Sequence, residues 1–107
     1  MRKARSLEEA RRLEDMPNVG HAIADDLRAL GLERPDQLRG QDPVELYLRL
    51  CRETGRRHDP CVLDTFMAVV EFADNDDTRP WWKHTARRQA GWADVEARLP
   101  PRLRKQP

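Results

Sequence analysis

Two Asp-Pro pairs constrain this chain more than any other feature: Asp42-Pro43 and Asp59-Pro60. Aspartate at a helix N-cap accepts an orphan backbone amide. Proline at the first helical position has no N–H to leave unpaired, and its fixed φ already suits a helix. Asp42-Pro43-Val44-Glu45 therefore predicts a helix running to about Thr54, with Gly55 closing it. Val44, Tyr47, Leu48 and Cys51 share one face of that helix, with Leu46 and Leu50 beside it. The second pair opens the most apolar stretch of the chain. From Cys61 to Ala73, Val62, Leu63, Phe66, Met67, Val69, Val70 and Phe72 leave little polar surface, which predicts a central helix ended by Asp74-Asn75-Asp76-Asp77.

The same punctuation extends to both sides. Ser6-Leu7-Glu8-Glu9 reads as a capping box opening a helix over about 7–14, with Leu7, Ala10 and Leu13 inward. Met16-Pro17 stops it, because the residue before proline avoids the α region. After Pro17-Asn18-Val19-Gly20, a helix from His21 to Leu30 places Ile23, Ala24, Leu27 and Leu30 inward and Asp25, Asp26 and Arg28 outward. Gly31-Leu32 fits a Schellman stop, with Leu32 folding back on Leu27. Residues 34–40 allow one turn of helix, and Ala86 to Leu99 form a further helix with Trp92 and Val95 inward. No segment alternates with period two. The expectation is an all-α, compact five-helix domain over residues 1–99, with a Trp-containing, partly helical extension from about 79 and a disordered basic tail over 100–107.

At 107 residues this is one domain. No apolar run approaches the roughly 20 residues of a membrane helix. The basic start, Met1-Arg2-Lys3-Ala4-Arg5, leads into no apolar stretch, so it is not read as a secretory signal, and a cytoplasmic location is expected. The net charge of +1 conceals a division into +3 over residues 1–12, −8 over 13–78 and +6 over 79–107. An acidic body with basic ends points to an anionic partner.

The most specific segment is Leu13 to Leu32. With Pro17, the Asn18-Val19-Gly20 turn, Ala24, Leu27 and Gly31-Leu32, it resembles the helix-hairpin-helix motif, with Met16 in a usual leucine place. Continued through Leu38 to Tyr47, and with residues 56–73 and Pro80-Trp81-Trp82, the chain resembles a small bacterial family named for a pathogenicity locus. Some members of that family are called mitomycin resistance proteins. The chain is also similar to the C-terminal domain of TfoX-type competence regulators. The resemblance implies a SAM-domain-like arrangement of helices and sequence-independent binding of a DNA or RNA backbone. In such motifs hairpin amides and a helix N-terminus, carrying about half a positive charge, face a phosphate. Asn18, Val19, Gly20 and His21 would form that contact. Asn18 stands where the motif has glycine, and asparagine tolerates the left-handed conformation such a turn needs. Asp25 and Asp26 oppose a phosphate, leaving His21 and Arg28 to favour it. In the other reading the hairpin is a packing device, Gly20 permits close helix approach, and the acidic face of helix His21–Leu30 binds a protein partner or a second copy of the chain.

Arg56 and Arg57, between the two Asp-Pro helices, are further candidate phosphate contacts, as are Arg79, Lys83, Arg87 and Arg88 around the paired tryptophans. Trp81 and Trp82 either stack on unpaired bases or cap the core. Cys51 and Cys61 read as free thiols packed like small apolar groups. With His58 and His84 they match no familiar zinc spacing, and nothing supplies an orienting group or oxyanion site for a cysteine nucleophile. No metal, cofactor or enzymatic activity is expected.

Overall fold

Both Asp-Pro pairs start helices in the computed structural model, which describes residues 2–105. The Asp42 carboxylate accepts the amides of Val44 (2.9 Å) and Glu45 (3.4 Å) at the head of a helix over Pro43–Thr54. Asp59 accepts the amide of Cys61 (2.8 Å) at the head of Pro60–Asn75. Two other α-helices complete the set, so in chain order they are α1 (His21–Ala29), α2 (Pro43–Thr54), α3 (Pro60–Asn75) and α4 (Thr85–Arg98). Single 3-10 turns lie at Leu7–Glu9, Leu13–Asp15, Pro35–Leu38, Trp81–His84 and Pro101–Leu103. There is no strand among the described residues, and no helix is long and apolar enough to cross a membrane.

α3 is the centre. It packs against α2, α4 and the turns at 35–38 and 81–84, and Leu63, Phe66, Val69 and Phe72 are fully buried along it. The Schellman stop of α1 forms as read: Gly31 has φ 84°, the Leu32 amide donates to the Leu27 carbonyl (3.0 Å), and the Gly31 amide to Arg28 (2.9 Å).

The count of five helices is corrected to four α-helices among the described residues: the expected helix over 7–14 is two 3-10 turns with Ala10 extended between them, the turn over 34–40 is 3-10 at Pro35–Leu38, and the fourth α-helix, α4, lies in the C-terminal extension. Packing and local carboxylates together break it. Leu7 and Leu13 are buried and Ala10 packs against the same core, but Ala10 does so with an extended backbone. The Glu9 carboxylate accepts the Arg5 amide (2.9 Å) rather than that of Ser6, and the Ser6 hydroxyl caps nothing. Asp15 accepts the amides of Arg11 (3.0 Å) and Arg12 (2.9 Å), and the Leu7 amide is taken by Asp76 (2.7 Å). Side chains that bond to nearby backbone in this way compete with helix formation, and an eight-residue helix has little cooperativity with which to resist.

The tail is also corrected as far as the structure describes it. Leu103 is buried, Arg104 donates to the carbonyls of Leu99 (3.0 Å) and Ala97 (2.7 Å), and the Lys105 amide donates to Glu96 (2.8 Å). An apolar side chain and three bonds dock this segment onto the end of α4. Residues 106–107 of the expected disordered tail lie outside the described residues.

α4 is pinned through a carboxylate that the apolar reading of the central helix passed over. Asp64 is fully buried on α3 and accepts bonds from Arg88 Nε (2.8 Å) and Thr85 Oγ1 (2.7 Å). A buried carboxylate is tolerable only when so satisfied.

Candidate nucleic-acid interface

The turn at Pro17-Asn18-Val19-Gly20 joins the Leu13–Asp15 turn to α1. Asn18 adopts φ 71°, the left-handed conformation expected of it. Its side chain does not project over the hairpin. It spans to the segment before the 81–84 turn, donating from Nδ2 to the Arg79 carbonyl (3.0 Å) and accepting at Oδ1 from the Trp81 amide (3.0 Å). A side-chain amide used on both edges mimics a strand pairing and locks the basic C-terminal segment to the hairpin.

The N-terminal basic segment meets the same place from the other side. Lys3 Nζ donates to the carbonyls of Val19 (2.7 Å) and Glu14 (2.5 Å), and the Ala4 amide donates to Asp15 (2.8 Å). Lys3, Arg12, Glu14, Val19, Gly20 and His21 line a cleft of about 250 Å³ at the start of α1. α1 has no side-chain cap at its N-terminus. A Cβ built on Gly20 meets nothing within 4 Å, so this glycine faces open space and helix packing does not require it. That removes the close-approach role read for Gly20. Val19 is buried and serves the core, leaving its backbone to the turn.

Acidic groups restrain the site. Glu14 pairs with Arg28 (2.7 Å) and lies 3.8 Å from His21 Nδ1, so it engages both bases that α1 offers. The hydrogen bond from Arg28 holds the Glu14 carboxyl down at about 2, so it is ionised at any physiological pH. Asp25 is exposed, while partial burial raises the pKa of the neighbouring Asp26.

The remaining candidates separate into two groups. Arg79, Lys83 and Arg87 lie near or on the turn that Asn18 holds. Arg79 is neutralised by Asp77 (2.6 Å), Arg87 lies 3.8 Å from Glu71, and Lys83 is exposed. Arg57 and Arg88 belong to a structural cluster instead. Arg57 makes a two-pronged pair with Glu96 (2.7 and 2.8 Å) and lies over the Trp92 ring at 5.4 Å. Arg88 lies over the same ring at 5.8 Å, and Tyr47 meets it edge-on. Guanidinium groups desolvated against an indole and tied to carboxylates stabilise the docking of α4. Arg56 stays exposed in the loop beside them.

A family model described as Pathogenicity locus (Cdd1) matches residues 6–90. The chain belongs to this family. The Pathogenicity locus match takes in the hairpin, α1 to α3 and both residues of the Asn18–Trp81 bond, and it ends within α4, before Glu96 and Leu103. The chain is also 43% identical over 77 residues to a mitomycin resistance protein, McrB, of Streptomyces lavendulae, covering 72% of this chain and 73% of that protein. No solved structure matches the chain.

The two cysteines lie apart from this face in character. Cys51 is buried in the core on α2, and burial raises the Cys61 thiol pKa in the first turn of α3. His58 turns its Nε2 to Thr54 Oγ1 (2.9 Å), and burial lowers its pKa. No cluster of three metal-ligating side chains occurs among the described residues. Asp74, Asp76 and Asp77 are the fold-positioning residues that sequence reasoning missed. Read only as a helix terminator, they bind the Gly40 amide (2.9 Å), the Leu7 amide (2.7 Å) and Arg79.

Proposed function

We propose that this chain is a non-enzymatic module that binds a nucleic-acid backbone weakly and without sequence preference, through a helix-hairpin-helix type of contact at residues 17–21. One observation carries the reading. The hairpin, with Gly20 open outward, is bracketed by both basic ends: Lys3 bonded to Val19 on one side, and the Arg79–Trp81 backbone bonded to Asn18 on the other. The first arm of the motif is reduced to one 3-10 turn, and the phosphate site is the uncapped start of α1 with Lys3 and Arg12 beside it. Glu14 keeps the affinity low by occupying Arg28 and facing His21.

The test is binding of duplex and single-stranded DNA across salt concentrations. Affinity falls steeply as salt rises if phosphates are contacted. Gly20→Leu, placed in open space at φ −95°, keeps the fold and loses affinity, while Glu14→Gln gains it. Absence of binding at low salt refutes the proposal and leaves the exposed acidic face of α1, with a protein partner or a second copy of the chain, as the functional surface.

A further inference from the structure

Trp82 is the one large hydrophobic side chain left exposed among the described residues, at 59% of its surface. Its neighbours account for its position but do not cover it. Trp81 is partly buried and meets Trp82 edge-on, with ring centroids 5.7 Å apart and planes at 86°. The backbone just before is fixed by Asn18, and the turn Trp81–His84 packs on α3 with His84 buried at its far end. The indole is thus held on a rigid mount and left facing solvent. Lys83 is exposed next to it and forms no ion pair among the described residues.

We infer that Trp82 is a stacking platform for an unpaired nucleobase, so that the module prefers nucleic acid with a single-stranded segment over continuous duplex. The inference rests on the backbone-binding reading above and adds the class of substrate. The geometry favours it in three ways. A base within a duplex has both faces covered by its neighbours, whereas an unpaired base has a free π-face for an indole. A preorganised aromatic ring loses little freedom on binding. The Asn18 bond to Trp81 places the platform beside the hairpin, so one strand can lay its phosphates toward the α1 N-terminus and Lys83 while a base turns onto Trp82. An exposed tryptophan beside Lys83 suits such a strand better than it suits a protein surface, since no other large hydrophobic side chain is exposed among the described residues.

The experiment compares the full chain with Trp82→Ala and Trp82→Phe, using fluorescence anisotropy at low salt. The probes are a labelled oligothymidylate, an oligomer of equal length made of abasic sites, and a duplex of equal length. The wild-type chain should bind oligothymidylate about tenfold more tightly than the abasic strand, in line with stacking of one base. Trp82→Ala should remove that difference, leave abasic and duplex binding unchanged and keep the melting temperature, while Trp82→Phe should retain most of the preference. Equal wild-type affinity for oligothymidylate and the abasic strand overturns the platform and leaves the backbone reading standing. So does a Trp82→Ala loss that is the same on both. Failure to bind any of the three probes overturns both readings. A dimer that becomes monomeric in Trp82→Ala, without base preference, reassigns Trp82 to self-association.

Discussion

Asn18 offers a sharp test because it does two separable things. It adopts φ 71°, which glycine does more easily, and it ties the hairpin to residues 79 and 81, which glycine cannot do. Asn18→Gly keeps the first role and deletes the second. Each lost hydrogen bond has a net worth of about 0.5–1.5 kcal/mol, and the partly buried Trp81 amide is left without its acceptor. Glycine adds about 0.5–1 kcal/mol of backbone entropy cost, offset by its ease at positive φ. The net destabilisation is about 2 kcal/mol, which lowers the melting temperature of a domain this size by roughly 8 °C. Asn18→Ala loses the same bonds and keeps an unfavourable φ, so it should be less stable by about 1 kcal/mol more. Thermal and urea denaturation give the order of stability, and amide hydrogen exchange at Trp81 gives the location. If Asn18→Gly matches the wild-type protein in stability and its Trp81 amide stays equally protected, the asparagine is merely a substitute for glycine and the tie has no energetic content.

Two other outcomes follow from the way α4 is held. Asp64→Ala leaves the Arg88 guanidinium, only 12% exposed, without its carboxylate, and should cost about 3–5 kcal/mol in urea denaturation. A loss below about 1 kcal/mol would mean that α4 is held by Trp92, Val95 and the Arg57–Glu96 pair without need of Asp64. The Glu96 carboxyl is held down from 4.5 to about 2, chiefly by its hydrogen bond from Arg57. Because the folded pKa lies below the unfolded one, this stabilisation is complete above pH 4.5 and is lost as pH falls toward 2. Glu96→Gln should therefore flatten the acid limb of the stability profile. His84 works in a higher window: burial lowers its pKa, so the unfolded chain takes up the proton first and stability declines as pH drops below 6.5.

What the sequence made legible was what is local. The Asp-Pro caps, the Gly31-Leu32 stop and the left-handed Asn18 each depend on a few neighbouring residues, and each formed as read. The reading failed where a distant partner competed. Ser6 to Glu9 carries the letters of a capping box, but Asp76 takes the Leu7 amide from 69 positions away and the helix gives way to turns. Asp64 was hidden because one carboxylate in an apolar run looks like an interruption until Arg88 and Thr85 arrive from α4. The charges of Arg57 and Arg88 look available in the sequence, whereas in the fold they pair with Glu96 and Asp64 over the Trp92 ring. At the hairpin, residue types gave the turn and the acidic opposition. The meeting of Lys3, Asn18 and Trp81 needed three dimensions.

The long reach of the Asn18 and Asp76 bonds has a consequence for the order in which the molecule is assembled. They close loops of 63 and 69 residues, whereas the caps of α2 and α3 close within three. On a ribosome adding about 5–20 residues each second, α1 emerges several seconds before the residues that anchor its hairpin. Throughout that interval the nascent chain presents a basic arm and a turn not yet tied to residues 79–81, and the face argued to meet nucleic acid gains that tie only after α1, α2 and α3 have emerged. Any variant that slows the arrival of residues 76–81 will lengthen the lifetime of that open form without altering the finished protein.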